Sequence, residues 1–258
     1  MPTPRRRYRN PPLLEAVLEF QFFSGAEWDS VYLGQLYGRL PKFPISETIR
    51  TASLVIDDAQ VGVRHAHEAK RFWREDRGIA ITVGPDVLGI SALPPDLPEG
   101  HSWELLRNTA FEVLEAYQVV VQPGAIRQVG LRYINGIPVD PEQFRLGELV
   151  RETSGVVPHV LLEERNPFSF RLERATEIQD AYHRREVITL ATQSAPQYGD
   201  RVMLDVDQVA VWLHGVEPAS ARIVLEDMHD AVHDVFNEVI RSEVLERFGP
   251  EELLTGAD

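Results

Sequence analysis

Two pairs among the eight histidines of this chain have the spacing of metal ligands. His229 and His233, in His229-Asp230-Ala231-Val232-His233, stand at i and i+4. On a helix this interval presents two imidazoles on one side, as in helical zinc sites. The HExxH zinc helix carries a glutamate after its first histidine as general base. Aspartate holds that position here, and its shorter carboxylate reaches a metal-bound water less well. His229 also falls beside Leu225, Val232 and Phe236 on the helical wheel, so its simpler role is a core-edge imidazole donating one hydrogen bond. His65 and His67 form the second pair. In an extended segment both project from one face, but Arg64, Glu68, Lys70 and Arg71 around them read as a polar sheet face or loop. The sequence names no third ligand, so only convergence of the two pairs would build a metal centre.

The run Gln128–Ile137, QVGLRYINGI, is a strand whose alternation turns Arg132 and Ile134 one way and Leu131, Tyr133 and Asn135 the other. An arginine between apolar neighbours is a buried ion-pair partner or an anion-binding group, because an isolated buried charge costs several kcal/mol. Glu15 and Glu19 of the first strand are the first partners to consider. Asn135-Gly136 reads as a turn, since both residues tolerate positive φ. Arg132, Tyr133, Asn135, His229 and His233 are therefore the candidate binding residues, and no catalytic residue is assigned. A mixed-charge stretch, Arg171, Glu173, Arg174 and Glu177 with Arg184, Arg185 and Glu186 around Tyr182-His183, reads as a solvated hairpin, or else as a polar groove for a partner.

Several chemistries lack their residues. There is no GxxxxGK[ST] or GxGxxG phosphate loop and no GxSxG nucleophile elbow. With no cysteine there is no thiolate nucleophile, no disulfide and no cysteine-based zinc site. No cofactor is expected. The 26 basic and 40 acidic side chains leave a charge of −14, which repels phosphates, so no nucleic acid partner is expected. The Arg5-Arg6-Arg7-Tyr8-Arg9 cluster is the exception, read as a solvated end or a contact for an acidic partner. No apolar signal-peptide core follows those arginines, and no segment approaches the ~20 apolar residues of a membrane span. A soluble, cytoplasmic protein with no membrane partner is the expectation.

The elements that must position these residues are legible in outline. Leu13–Phe23 alternates as a strand, and Trp28–Leu40 has helical spacing before Pro41. Thr51–Ile56 is a short strand. Gly78–Val83 and Val87–Leu93 pair as a hairpin through Gly84-Pro85-Asp86. After the proline-rich LPPDLPEG, Ser102 caps a helix from Trp103 with Leu106, Ala110, Val113, Leu114 and Tyr117 on its apolar face. Ile126–Ile134 closes this half. Strands at Phe168–Ala175, Glu186–Thr192 and Val202–Leu213 then precede a helix from about Ser220 to Phe248. Leu106, Val113 and Tyr117 share the spacing of Leu225, Val232 and Phe236, which suggests a duplicated unit. The expected class is α+β, with antiparallel sheets each packed by a long helix, in halves 1–140 and 141–258.

Three segments together resemble a known family: Asn10–Phe20 (NPPLLEAVLEF), Gly130–Asn135 (GLRYIN) and Met228–Phe236 (MHDAVHDVF). The chain is similar to sporadically distributed bacterial proteins of about 250 residues with an LRYIN-type motif, for which no function is assigned. The resemblance implies that essentially the whole chain is the family's unit, and it transfers no catalytic residue. Gly136 stands where many members have a basic or larger polar residue. Patchy distribution suggests a mobile or defence-linked gene cluster. Three functions are expected from the sequence. The first is a non-catalytic binding or assembly protein, with a protein partner or self-association as a homodimer. The second is a metal-dependent hydrolase using His229 and His233. The third is a small-molecule binder, its ligand unknown, gripping an anionic group through Arg132.

Overall fold

A computed structural model describes residues 7–23, 28–57, 60–94, 102–140, 142, 144–163, 168–178, 182–195 and 199–251. Arg5, Arg6 and residues 95–100 of the proline-rich loop lie outside the described residues, as do the side chains of Glu177, His65 and His67.

The chain runs β1 (Arg7–Tyr8), β2 (Leu13–Phe22), α1 (Ser30–Arg39), β3 (Ile45–Asp57), β4 (Gln60–Trp73), β5 (Ile79–Val83), β6 (Val87–Ala92) and α2 (Trp103–Val121). It continues through β7 (Ile126–Pro138), α3 (Leu146–Leu149), β8 (Ser169–Ile178), β9 (Tyr182–Ala195) and β10 (Gly199–Val216). It ends with α4 (Pro218–Val239), α5 (Ser242–Leu245) and β11 (Pro250–Glu251). The fold is mixed α and β around a large antiparallel sheet. All nine strands of that sheet join in one order, β3-β4-β5-β6-β2-β7-β10-β9-β8. There is thus one continuous sheet rather than one per half, and β7, read as the strand that closes the first half, lies in its interior.

Alternation decides which face of the sheet is covered. On β2, Ala16, Leu18, Phe20 and Phe22 are buried while Glu15, Val17, Glu19 and Gln21 turn the other way. In register, Leu131 pairs with Leu18 and Tyr133 with Ala16, so the apolar rows of β2 and β7 share a face. The helices α2 and α4 lie on that face, α2 against β2 and β6, α4 against β7 and β10. Among the described residues these are the main helix-to-sheet contacts.

Local chemistry sets the helix ends. Ser102 Oγ accepts the Leu105 N–H at 3.0 Å, and α2 stops at Gln122 in the left-handed conformation, φ 50°. Tyr117 stacks on Phe22, and its hydroxyl donates to the carbonyls of Gly84 and Pro85 at 2.9 and 3.0 Å, which clamps the β5–β6 turn. Proline opens α4 at its first turn, where its missing N–H costs nothing.

The last helix is shorter than its periodicity predicts. It ends at Val239, because Ile240 is extended and bridges Val150. Arg151 holds that break: its backbone N–H donates to the Val239 carbonyl at 2.8 Å and its Nε to the Ile240 carbonyl at 2.7 Å. The apolar pattern continues because Val244, Leu245 and Phe248 are buried by α5 and a 3₁₀ turn instead.

The Asn135-Gly136 turn is likewise replaced. Both residues sit inside β7, opposite Leu204 and Met203 of β10, and Gly136 has no positive φ. Glycine serves close approach there: a Cβ would stand 2.6 Å from Leu14 Cδ1 and 3.2 Å from Arg201 Cδ. The basic segment from Arg7 onward is tied in as well. Arg7 and Tyr8 pair with Glu251 and Pro250, and Tyr8 meets Phe236 and Phe248 edge-on. Among the described residues no helix is long and apolar enough to cross a membrane.

Candidate functional site

Three of the five candidate residues meet where α4 crosses β7. His229 is buried at 7% exposure, since α4 turns the same side to the sheet with Leu225, Met228, Val232 and Phe236. His233, one turn later, is half-buried. The two imidazoles are edge to face at 4.6 Å, with their Nε2 atoms 3.2 Å apart. At that distance one ring donates an N–H and the other accepts, the tautomers deciding which. Tyr133 of β7 stands edge-on to both, its ring 6.1 Å from His229 and 6.0 Å from His233. Burial holds the Tyr133 phenol proton well above its ordinary range, and the charge of Glu104 adds to it. This tyrosine is a proton donor, not a phenolate, at any physiological pH.

A second helix completes the cluster. Trp103, the first residue of α2, stacks on His229 at 4.5 Å with the planes 11° apart. Its Nε1 donates to Glu226 Oε2 at 2.8 Å, and Arg107 Nη1 donates to Glu226 Oε1 at 2.6 Å. Glu226 thus ties α4 to α2 beside the histidines. Asp230 Oδ1 lies 3.8 Å from His229 Nδ1, the ring nitrogen that does not face His233. The carboxylate is therefore not placed as the HExxH glutamate is, beside a metal held by both Nε2 atoms. Among the described residues no group of three or more His, Cys, Asp or Glu side chains is disposed to hold a metal. His65 and His67 are on β4, which β5, β6 and β2 separate from β7 in the sheet.

Arg132 faces away from this cluster, on the side of the sheet opposite α2 and α4. Its Nε and Nη2 donate to Asp205 Oδ1 and Oδ2 at 2.8 and 2.6 Å. This hydrogen-bonded pair holds the guanidinium protonated more firmly than usual. The side chain is 48% exposed, so the pair is a surface pair, not the buried one expected, and its partner is Asp205 rather than Glu15 or Glu19. The fork that would grip an external anion is occupied. Asp207, directly across from Arg132 in register, has its carboxyl pushed up to about 6, first by burial. Arg132 and Arg185 oppose that rise, while Asp205 and Glu19 add to it. Asn135 is buried and serves the sheet, with Nδ2 donating to the Leu204 carbonyl at 3.3 Å.

The mixed-charge stretch is a paired network in β8, β9 and β10. Arg174 Nε donates to Glu186 Oε1 at 2.8 Å, and Gln208 Nε2 to Glu186 Oε2 at 2.6 Å. Arg184 Nε donates to Gln208 Oε1 at 3.1 Å. Sequence reasoning missed Asp205, Asp207, Glu226 and Arg107. Asp205-Val206-Asp207 carried a readable signal, two acids at strand alternation in an apolar run. Glu226 and Arg107 carried none, because only the packing of α2 beside α4 brings them together.

No protein-family model matches the chain, and no curated protein matches it.

Proposed function

We propose that the chain is a non-catalytic assembly protein that forms a homodimer through the face of its sheet opposite α2 and α4. The observation that carries this reading is the order of residues across that face. One row reads Glu19, Gly130, Val209, Arg185, and the next Val17, Arg132, Asp207, Val187. Val209 and Val187 are already buried within the chain, at 3% and 4% exposure, so the charged side chains rather than these valines would meet a partner. The first row is self-complementary about a two-fold axis parallel to the strands and between β7 and β10. That operation sets Glu19 against the partner's Arg185, the charge pair on which the reading rests. Isologous contacts of this kind are how most homodimers close. The strands from β5 to β8 span roughly 30 Å by 20 Å, the scale of the ~800 Å² each partner brings to a standard interface.

The same reading includes an internal duplication. Each half has a first strand (β2 or β7), a meander (β3–β6 or β8–β10) and then a long helix (α2 or α4). The last strand of each meander returns to pair with the first strand of its half. On this reading β7 opens the second unit, and Leu18 opposite Leu131 marks the pseudo-two-fold between the units.

Sedimentation velocity over a concentration series tests the dimer. Glu19→Arg or Arg185→Glu alone should weaken self-association at least tenfold, and the two together in one chain should restore it. A parent chain that is monomeric at every concentration sinks the proposal, as does a double variant no better than the singles.

A further inference from the structure

We propose that His229 and His233 form a binding site for one nitrogen-preferring divalent transition ion, zinc or copper, with both Nε2 atoms as ligands. The argument is geometric. Two imidazole nitrogens bound to one tetrahedral zinc, each at about 2.0–2.1 Å, stand roughly 3.3 Å apart. In this structure the two Nε2 atoms are 3.2 Å apart with ring centroids at 4.6 Å, so the rings turn to aim both nitrogens at one ion while α4 stays in place. Neighbouring rings limit how far they turn. Trp103 lies flat against His229, Tyr133 stands edge-on to both rings, and His229 is buried. Preorganisation of this kind lowers the entropy lost on binding.

The donor set selects the ion. Two imidazoles with no thiolate suit zinc, copper or nickel, whereas magnesium and calcium prefer oxygen ligands. Among the described residues no group of three or more His, Cys, Asp or Glu side chains is disposed to hold a metal, and an ion held by two imidazoles exchanges readily. Imidazole binds a metal only through a deprotonated nitrogen, and binding therefore weakens as pH falls. The site is on the helix-covered side of the sheet, opposite the proposed dimer face, and does not depend on that face.

The test is titration of the untagged chain with Zn²⁺ by calorimetry and with Cu²⁺ by electron paramagnetic resonance. Saturation at one equivalent is expected, with a copper spectrum showing two coordinating nitrogens. His233→Gln should lower the affinity at least tenfold while keeping the far-ultraviolet circular dichroism of the parent. His229→Gln should do the same, but its stack on Trp103 makes the His233 variant the deciding one. Absence of saturable binding overturns the proposal, and so does unchanged binding in folded His233→Gln.

Discussion

Trp103 of α2 and His229 of α4 stack face to face with ring centroids 4.5 Å apart. This contact joins the helix over β2 and β6 to the helix over β7 and β10. Beside it, the Trp103 indole N–H reaches Glu226, so a single residue supplies both a buried apolar plate and a polar tie between the helices.

Trp103→Ala should therefore cost about 3–5 kcal/mol, the range for removing a buried aromatic. Trp103→Phe keeps a ring on His229 but drops the donor to Glu226, a loss of about 2 kcal/mol. Urea denaturation followed by circular dichroism measures both. Equal losses in the two variants would mean that the hydrogen bond, not the stack, holds the helices together.

Arg132→Ala should leave folding stability within about 1 kcal/mol of the parent, as for exposed ion pairs. A buried pair broken on one side would cost about 3–5 kcal/mol. Denaturant midpoints at concentrations too low for self-association separate these outcomes.

Asp207 gives a pH dependence of definite sign. Its carboxyl has an ordinary value of 3.8 and is pushed up to about 6 in the folded chain, so the native state holds this proton more tightly than the unfolded state. The stability this provides is complete below about pH 4 and is lost as pH rises through about 6. Asp207→Asn should match the parent near pH 4 and exceed it above pH 6, by on the order of 2–3 kcal/mol. Denaturation midpoints of the two chains that run parallel from pH 4 to pH 7.5 would rule this out.

Gly136→Ala should destabilise by about 1–2 kcal/mol through overpacking, because the new Cβ meets Leu14. Shortening the neighbour in Leu14→Ala should recover part of that loss. If the glycine were instead needed for a positive φ, Leu14→Ala would recover nothing.

Much of the local structure was legible. The Ser102 cap and the apolar face of α2, the β5–β6 hairpin and the inward and outward rows of β2 and β7 all follow from period and turn chemistry within a few residues. The limits of that reasoning show at Ile240 and Gly136. An amphipathic pattern persists through the break after α4 because two separate short elements bury it. Asn-Gly is a turn signal until a strand of eighteen residues, β10, pairs with it.

By itself, the sequence determined which residues face the core, where α2 begins and that Arg132 and Tyr133 point to opposite sides, since a strand's period of two and a helix's of 3.6 are local rules. Only the tertiary structure decided that all nine strands form one sheet, that Arg132 pairs with Asp205 and that Trp103 rests on His229. Those partners are distant along the chain. Their pairing is set by which whole faces can be buried together, a condition that no local window contains.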